Sequence, residues 1–189
     1  MQDISQEVHN AFEVIKNGGI ILYPTDTVWG IGCDATNEEA VQKIFTLKKR
    51  TESKSLITLV NGDRMLYQIF NEIPEVAWQI LDLSEKPTTL ILDNPRNVAK
   101  NTIAEDNSLG VRIVKEPFCF KLMERMKKPL ISTSANISGE STPKSFKEIS
   151  PEILKGVDYI VNLQQDKICD KPSTIIKLKM DNQVKVIRK

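Results

Sequence analysis

Histidine is almost missing from this chain of 189 residues: His9 is the single one, on the polar side of a helical stretch. Imidazole base catalysis is therefore not expected, and no G-x-S-x-G turn or Ser/His/Asp set is present. Cysteine is scarce too. Cys33, Cys119 and Cys169 lie far apart without C-x-x-C spacing, which disfavours a zinc site or a disulfide framework. Neither G-x-x-x-x-G-K-[ST] nor G-x-G-x-x-G occurs, so any nucleotide is held without the familiar glycine loops. No apolar run approaches the length that spans a bilayer, and the opening MQDISQEVHN lacks the order of a secretory signal. A cytoplasmic protein with no membrane partner is expected. Charge of one sign is lacking as well: the formal balance is +1, so a basic surface has to be local.

What is there concentrates between residues 23 and 56. YPTDTVWGIGCDA follows a short apolar strand with Pro, Thr, Asp and Gly, a composition suited to a ligand-holding loop. About one helix later comes KKRTESKSL, with Lys48, Lys49, Arg50 and Lys54 within seven residues. Together they suggest a pocket for something small, polar and anionic.

Along the chain, Ile4, Val8, Ala11, Phe12 and Ile15 recur at helical spacing before Gly18-Gly19. Residues 20–23 read as a buried strand stopped by Pro24. Thr36-Asn37-Glu38-Glu39 has the form of a capping box for a helix ending in the cations. Strands are expected at residues 56–60, 88–92, 110–114, 130–133, 158–162, 173–178 and 184–187, and helices at 65–70, 76–83 and 118–126. This is one α/β domain, residues 1–189, with a mixed sheet.

Each candidate site has a plain structural alternative. Lys48, Arg50 and Lys54 could grip phosphates, since Arg gives a fork and Lys a point charge, or could simply complement a helix end. Thr25 and Thr27 beside Asp26, with Gly30 and Gly32 allowing close approach, fit a ligand or a tight turn. The hydroxyl density of Ser132, Thr133, Ser134, Asn136 and Ser138 fits an oxyanion or a helix cap. Arg112, between Val111 and Ile113, is aimed at a carboxylate or lies on an exposed sheet face. Lys48 and Arg50 are both expected at the surface, so alanine there should abolish anion binding without unfolding the chain.

YPTDTVWGIGCDA, KKRTESKSL, LGVRIV from Leu109, STSANISG from Ser132 and PSTIIKL from Pro172, in this order, resemble the YrdC-like family, and VKVIR ending at Arg188 adds a weaker match. The resemblance implies an open, twisted mixed sheet with flanking helices and a basic concave face. It also implies a threonylcarbamoyl-AMP synthase, which uses ATP, L-threonine and bicarbonate and starts the t6A modification of tRNA. Carried over, Lys48 and Arg50 become the catalytic triphosphate ligands, with Lys54, Ser134, Asn136, Thr142 and Arg188 also on the ATP. Thr25, Arg112, Ser132 and Ser173 surround the threonine. Mg2+ is expected to travel with the ATP and to have no dedicated protein ligand. RNA or tRNA contact on the basic face and downstream t6A transfer proteins are implied as partners.

The pattern is not followed everywhere. Thr51 and Ser55 stand where the family usually has proline, Lys86-Pro87-Thr88-Thr89 replaces a usual Pro-Gly-Pro-x-Thr, and Val114-Lys115 lacks a common proline. Ending at Lys189, the chain resembles the short form without an extra C-terminal domain. Two rival readings use the same residues: a module binding double-stranded RNA or tRNA without catalysis, and a domain forming a carbamoyl adenylate.

Overall fold

The computed structural model describes residues 3–50, 56–169, 171–181 and 183–189. Helix α1 (Ile4–Lys16) starts where the Asp3 carboxylate accepts from the Ser5 amide, and it buries Val8, Ala11 and Ile15, the stripe its spacing predicts. β1 (Ile21–Tyr23) is wholly buried. After the motif loop, β2 (Gly30–Gly32) runs back antiparallel to it, with Gly30 opposite Tyr23. The two glycines read as allowing close approach are strand residues, and at Gly32 the close neighbours are the protein's own, since a Cβ there would overlap the Ile131 carbonyl and the Tyr23 ring.

Helix α2 (Glu38–Leu47) also starts differently from its capping-box reading. Asn37 is the cap, its Oδ1 accepting from the Ala40 amide at 3.0 Å, while the Thr36 hydroxyl turns back to Asp34 at 2.7 Å. Thereafter come β3 (Ile57–Val60), α3 (Asp63–Ile69), α4 (Glu75–Leu83), β4 (Thr88–Asp93), β5 (Ser108–Ile113), α5 (Pro117–Met126) and β6 (Leu130–Ser134). The chain closes with α6 (Pro151–Gly156), β7 (Tyr159–Ile160), β8 (Thr174–Leu178) and β9 (Val184–Arg188). Short α6 has no counterpart in the sequence reading, and the strand expected at 158–162 shrinks to β7.

Among the described residues the strands form one open mixed sheet in the order β7-β1-β2-β6-β3-β5-β4-β8-β9. The pairs β1–β7, β3–β5 and β4–β8 are parallel and the others antiparallel. Two hydrophobic clusters hold it. One gathers α1, α3 and α5 with Leu59, Leu90, Leu109 and Val111. The other packs Val41, Ile44 and Phe45 of α2 on Leu22, Trp29 and Ile31. Side chains alternate along a strand. On β5, Leu109, Val111 and Ile113 therefore serve the first cluster while Arg112 points away from it.

Candidate active site

The loop after β1 is held by its own threonines. Thr25 Oγ1 donates to the Val28 carbonyl at 2.7 Å and accepts from the Thr27 amide at 3.0 Å. Its one proton is thus spent, so in the 2.9 Å contact between the two hydroxyls Thr27 must be the donor. Thr27 in turn accepts from Arg112 Nη1 at 3.0 Å. The result is a directed relay, Arg112 to Thr27 to Thr25 to Val28. Arg112 Nη2 reaches Asp26 Oδ1 at 3.0 Å. The arginine is only 3% exposed, and its buried Nε has no hydrogen-bond partner among the described residues.

Other elements close on the same place. β6 delivers Ser132, Thr133 and Ser134; the segment before β8 delivers Pro172 and Ser173; β9 returns Arg188. With Thr27, Val28, Ile57, Arg112 and Thr142 they line a cavity of about 110 Å³. Ser173 Oγ pairs with the buried Thr89 hydroxyl at 2.8 Å, and Arg188 Nε donates to the Ser173 carbonyl at 2.9 Å. Partial burial, and then the neighbouring Arg112, lower the Arg188 pKa. Two guanidiniums converging on a small hollow, with Asp26 offsetting one, favour an anionic guest. Asp26 also borders a second cavity of about 390 Å³ beside Trp78.

The sequence-derived site residues therefore fall into three groups. Arg112, Ser132, Ser134, Thr142, Ser173 and Arg188 meet in the hollow. Thr25, Lys48, Arg50 and Asn136 do not line it. Thr25 stands one hydroxyl behind, and the Asn136 amide is turned to the Ile137 and Glu140 carbonyls at 2.9 and 2.8 Å. Lys54 lies outside the described residues. Thr27 and Thr133, read as ligand or turn and as oxyanion or cap residues, also line the hollow, while the Thr89 support under Ser173 was not foreseen.

The surface placement expected of Lys48 is overturned. Its side chain ends α2 at 1% exposure, and Nζ donates to the Ser134 and Asn136 carbonyls at 2.5 and 2.6 Å. Burial, helped by Arg50, lowers its pKa to about 7. Arg50 is half-buried, and desolvation lowers its pKa as well. A helix-end charge run reads as solvated surface until the β6 turn that covers it is known.

The family model described as "Telomere recombination", for Sua5, YciO and YrdC, matches residues 13–189. The chain belongs to the Sua5/YciO/YrdC family. A relative from Methanocaldococcus jannaschii, a "putative threonylcarbamoyl-AMP synthase", is 36% identical over 173 residues, covering 91% of this chain and 80% of its own. The threonylcarbamoyl-AMP synthase of Pseudoalteromonas translucida is 30% identical over 155 residues, covering 80% and 83%. Among solved structures of the family, P. abyssi Sua5 complexed with L-threonine superimposes with a TM-score of 0.82 at 27% identity. That match covers 94% of this chain and 52% of Sua5, so the chain spans about half the length of that relative. E. coli YciO shares the fold, with a TM-score of 0.86 at 23% identity over 100% of this chain and 91% of its own.

Proposed function

We propose that this member of the family is an L-threonylcarbamoyladenylate synthase, forming threonylcarbamoyl-AMP and pyrophosphate from ATP, L-threonine and bicarbonate. The observation that carries the reading is Arg112: a buried guanidinium on a hydroxyl-lined hollow, its Nε without a partner among the described residues. Such a group fits the carboxylate of a small hydroxy amino acid. The threonine curated relatives act on in name, and the threonine of the Sua5 complex, have that chemistry.

Ser132 and Ser173 would meet the threonine directly, and Thr25 through Thr27. ATP would lie toward Ser134, Asn136, Thr142 and Arg188, with Arg50 and Lys54 on its phosphates. Threonine, carboxylated on nitrogen by bicarbonate with loss of water, would attack through a carbamate oxygen at the α-phosphorus. The new O–P bond forms as the bond to the β,γ-diphosphate breaks, and pyrophosphate leaves. The cations align the reactants and stabilise the departing oxygens, a task that needs no imidazole. Mg2+ would enter as part of the MgATP substrate. The adenylate would then pass to t6A transfer proteins and tRNA in the cytoplasm.

The test incubates purified protein with ATP, labelled bicarbonate and L-threonine. Threonine-dependent pyrophosphate and an acid-labile labelled adenylate are expected. Equal turnover with serine, turnover only with carbamoyl phosphate, or RNA binding without pyrophosphate would overturn the proposal.

A further inference from the structure

A buried ammonium is costly unless its donors are used, and both hydrogen bonds that Lys48 Nζ gives serve one short turn. Nζ donates to the carbonyls of Ser134 and Asn136, while the Lys48 carbonyl accepts from the Ser138 amide at 2.9 Å. Both ends of the residue thus clasp residues 134–138. Ser134 lines the hollow and Lys48 does not, so the lysine lies behind the wall that the turn forms. With the residue 1% exposed, its tip meets the two carbonyls of the turn rather than open solvent. The main-chain bond from the Ala135 amide to the Trp29 carbonyl, at 2.9 Å, pins the turn on its other flank.

We infer that Lys48 is a positioning residue: it holds the 134–138 turn in the shape that presents Ser134 and Asn136 to the nucleotide, and it does not touch the phosphates. The activity arm of its test rests on the synthase reading. The clasp itself does not. Neutral amines keep two N–H groups, one for each carbonyl, so the clasp survives loss of the proton. Methionine has the length but no donor, and it would leave two buried carbonyls unpaired. Arginine has the charge but not the shape for a space closed around an ammonium.

Two measurements test the role. In the first, wild-type protein without nucleotide is treated with formaldehyde and borohydride. Exposed Lys49, paired at the surface with Glu152, should be methylated while Lys48 resists, and adding ATP should leave Lys48 unchanged. In the second, Lys48→Met should lower kcat/KM for ATP tenfold or more, and Lys48→Arg should fail to restore it. In a Ser134→Ala, Asn136→Ala background the same Lys48→Met change should add less than about twofold, because groups acting through one another are not additive. Methylation of Lys48 in the free protein with protection by ATP, rescue by arginine, or a full additive loss would overturn the assignment. Should Lys48→Met fail to fold, the methylation result decides. A wild type without ATP turnover would sink the synthase reading and leave the methylation result standing.

Discussion

At Arg112 a single guanidinium on the wall of the hollow serves more than one partner at once. Nη1 and Nη2 each give one bond, to Thr27 and Asp26, and the buried Nε has no partner among the described residues. Lysine cannot match that arrangement, since its three donors radiate from one point. Arg112→Lys is therefore expected to raise KM for threonine roughly 10- to 100-fold, the equivalent of a charged hydrogen bond of about 1.5–3 kcal/mol. Initial rates of pyrophosphate release against threonine concentration check it; an unchanged KM would remove Arg112 from the amino acid. Lys48 gives a second prediction. Its pKa is lowered on folding from 10.5 to about 7, so between those values the unfolded chain binds more protons and stability rises with pH. The burial penalty is complete below about pH 7 and released toward 10.5. Urea midpoints measured from pH 7 to 9 should climb more steeply for wild type than for Lys48→Met, and parallel curves would contradict the burial account.

Among the elements, those with clear periodicity were legible and those made by long-range partners were not. The stripe of α1 and the alternation of β5 could be read directly, because a helix or strand with one buried face writes its period into the sequence. β2 could not. Gly-Ile-Gly offers one strand former between two glycines, and it is a strand because β1 and β6 flank it. The relay from Arg112 to Thr27 joins positions 85 apart, and the clasp from Lys48 to Ser134 joins positions 86 apart. No local pattern announces either. The residues that meet in the hollow were legible only as separate polar blocks whose order matched the family. At α2 the capping box misled because Thr36 and Asn37 are both good caps, and the bond to Asp34 decides between them. Asn37→Ala should lower stability by about 1 kcal/mol, with Thr36→Ala costing less; reversed costs in urea unfolding would restore the box.

Over the whole molecule, the mixed topology is what converts scattered blocks into one site. Parallel pairing of β8 with β4 sets Thr174 opposite Thr88, which brings Ser173 to Thr89. The antiparallel return of β9 then lays Arg188 over Ser173. Since β9 is an exposed edge strand, Arg188→Ala should leave stability within about 0.5 kcal/mol of wild type while lowering synthesis tenfold or more. A matching loss of folding in thermal melts would make Arg188 a structural clamp instead. The central claim is that Arg112 and its hydroxyl neighbours hold threonine beside a nucleotide. It is tested most directly by a crystal structure with L-threonine and a non-hydrolysable ATP analogue. The threonine carboxylate should lie within hydrogen-bond distance of Arg112, with the analogue against Ser134 and Arg188. Threonine in the cavity beside Trp78, or an analogue bound away from β6, would contradict it.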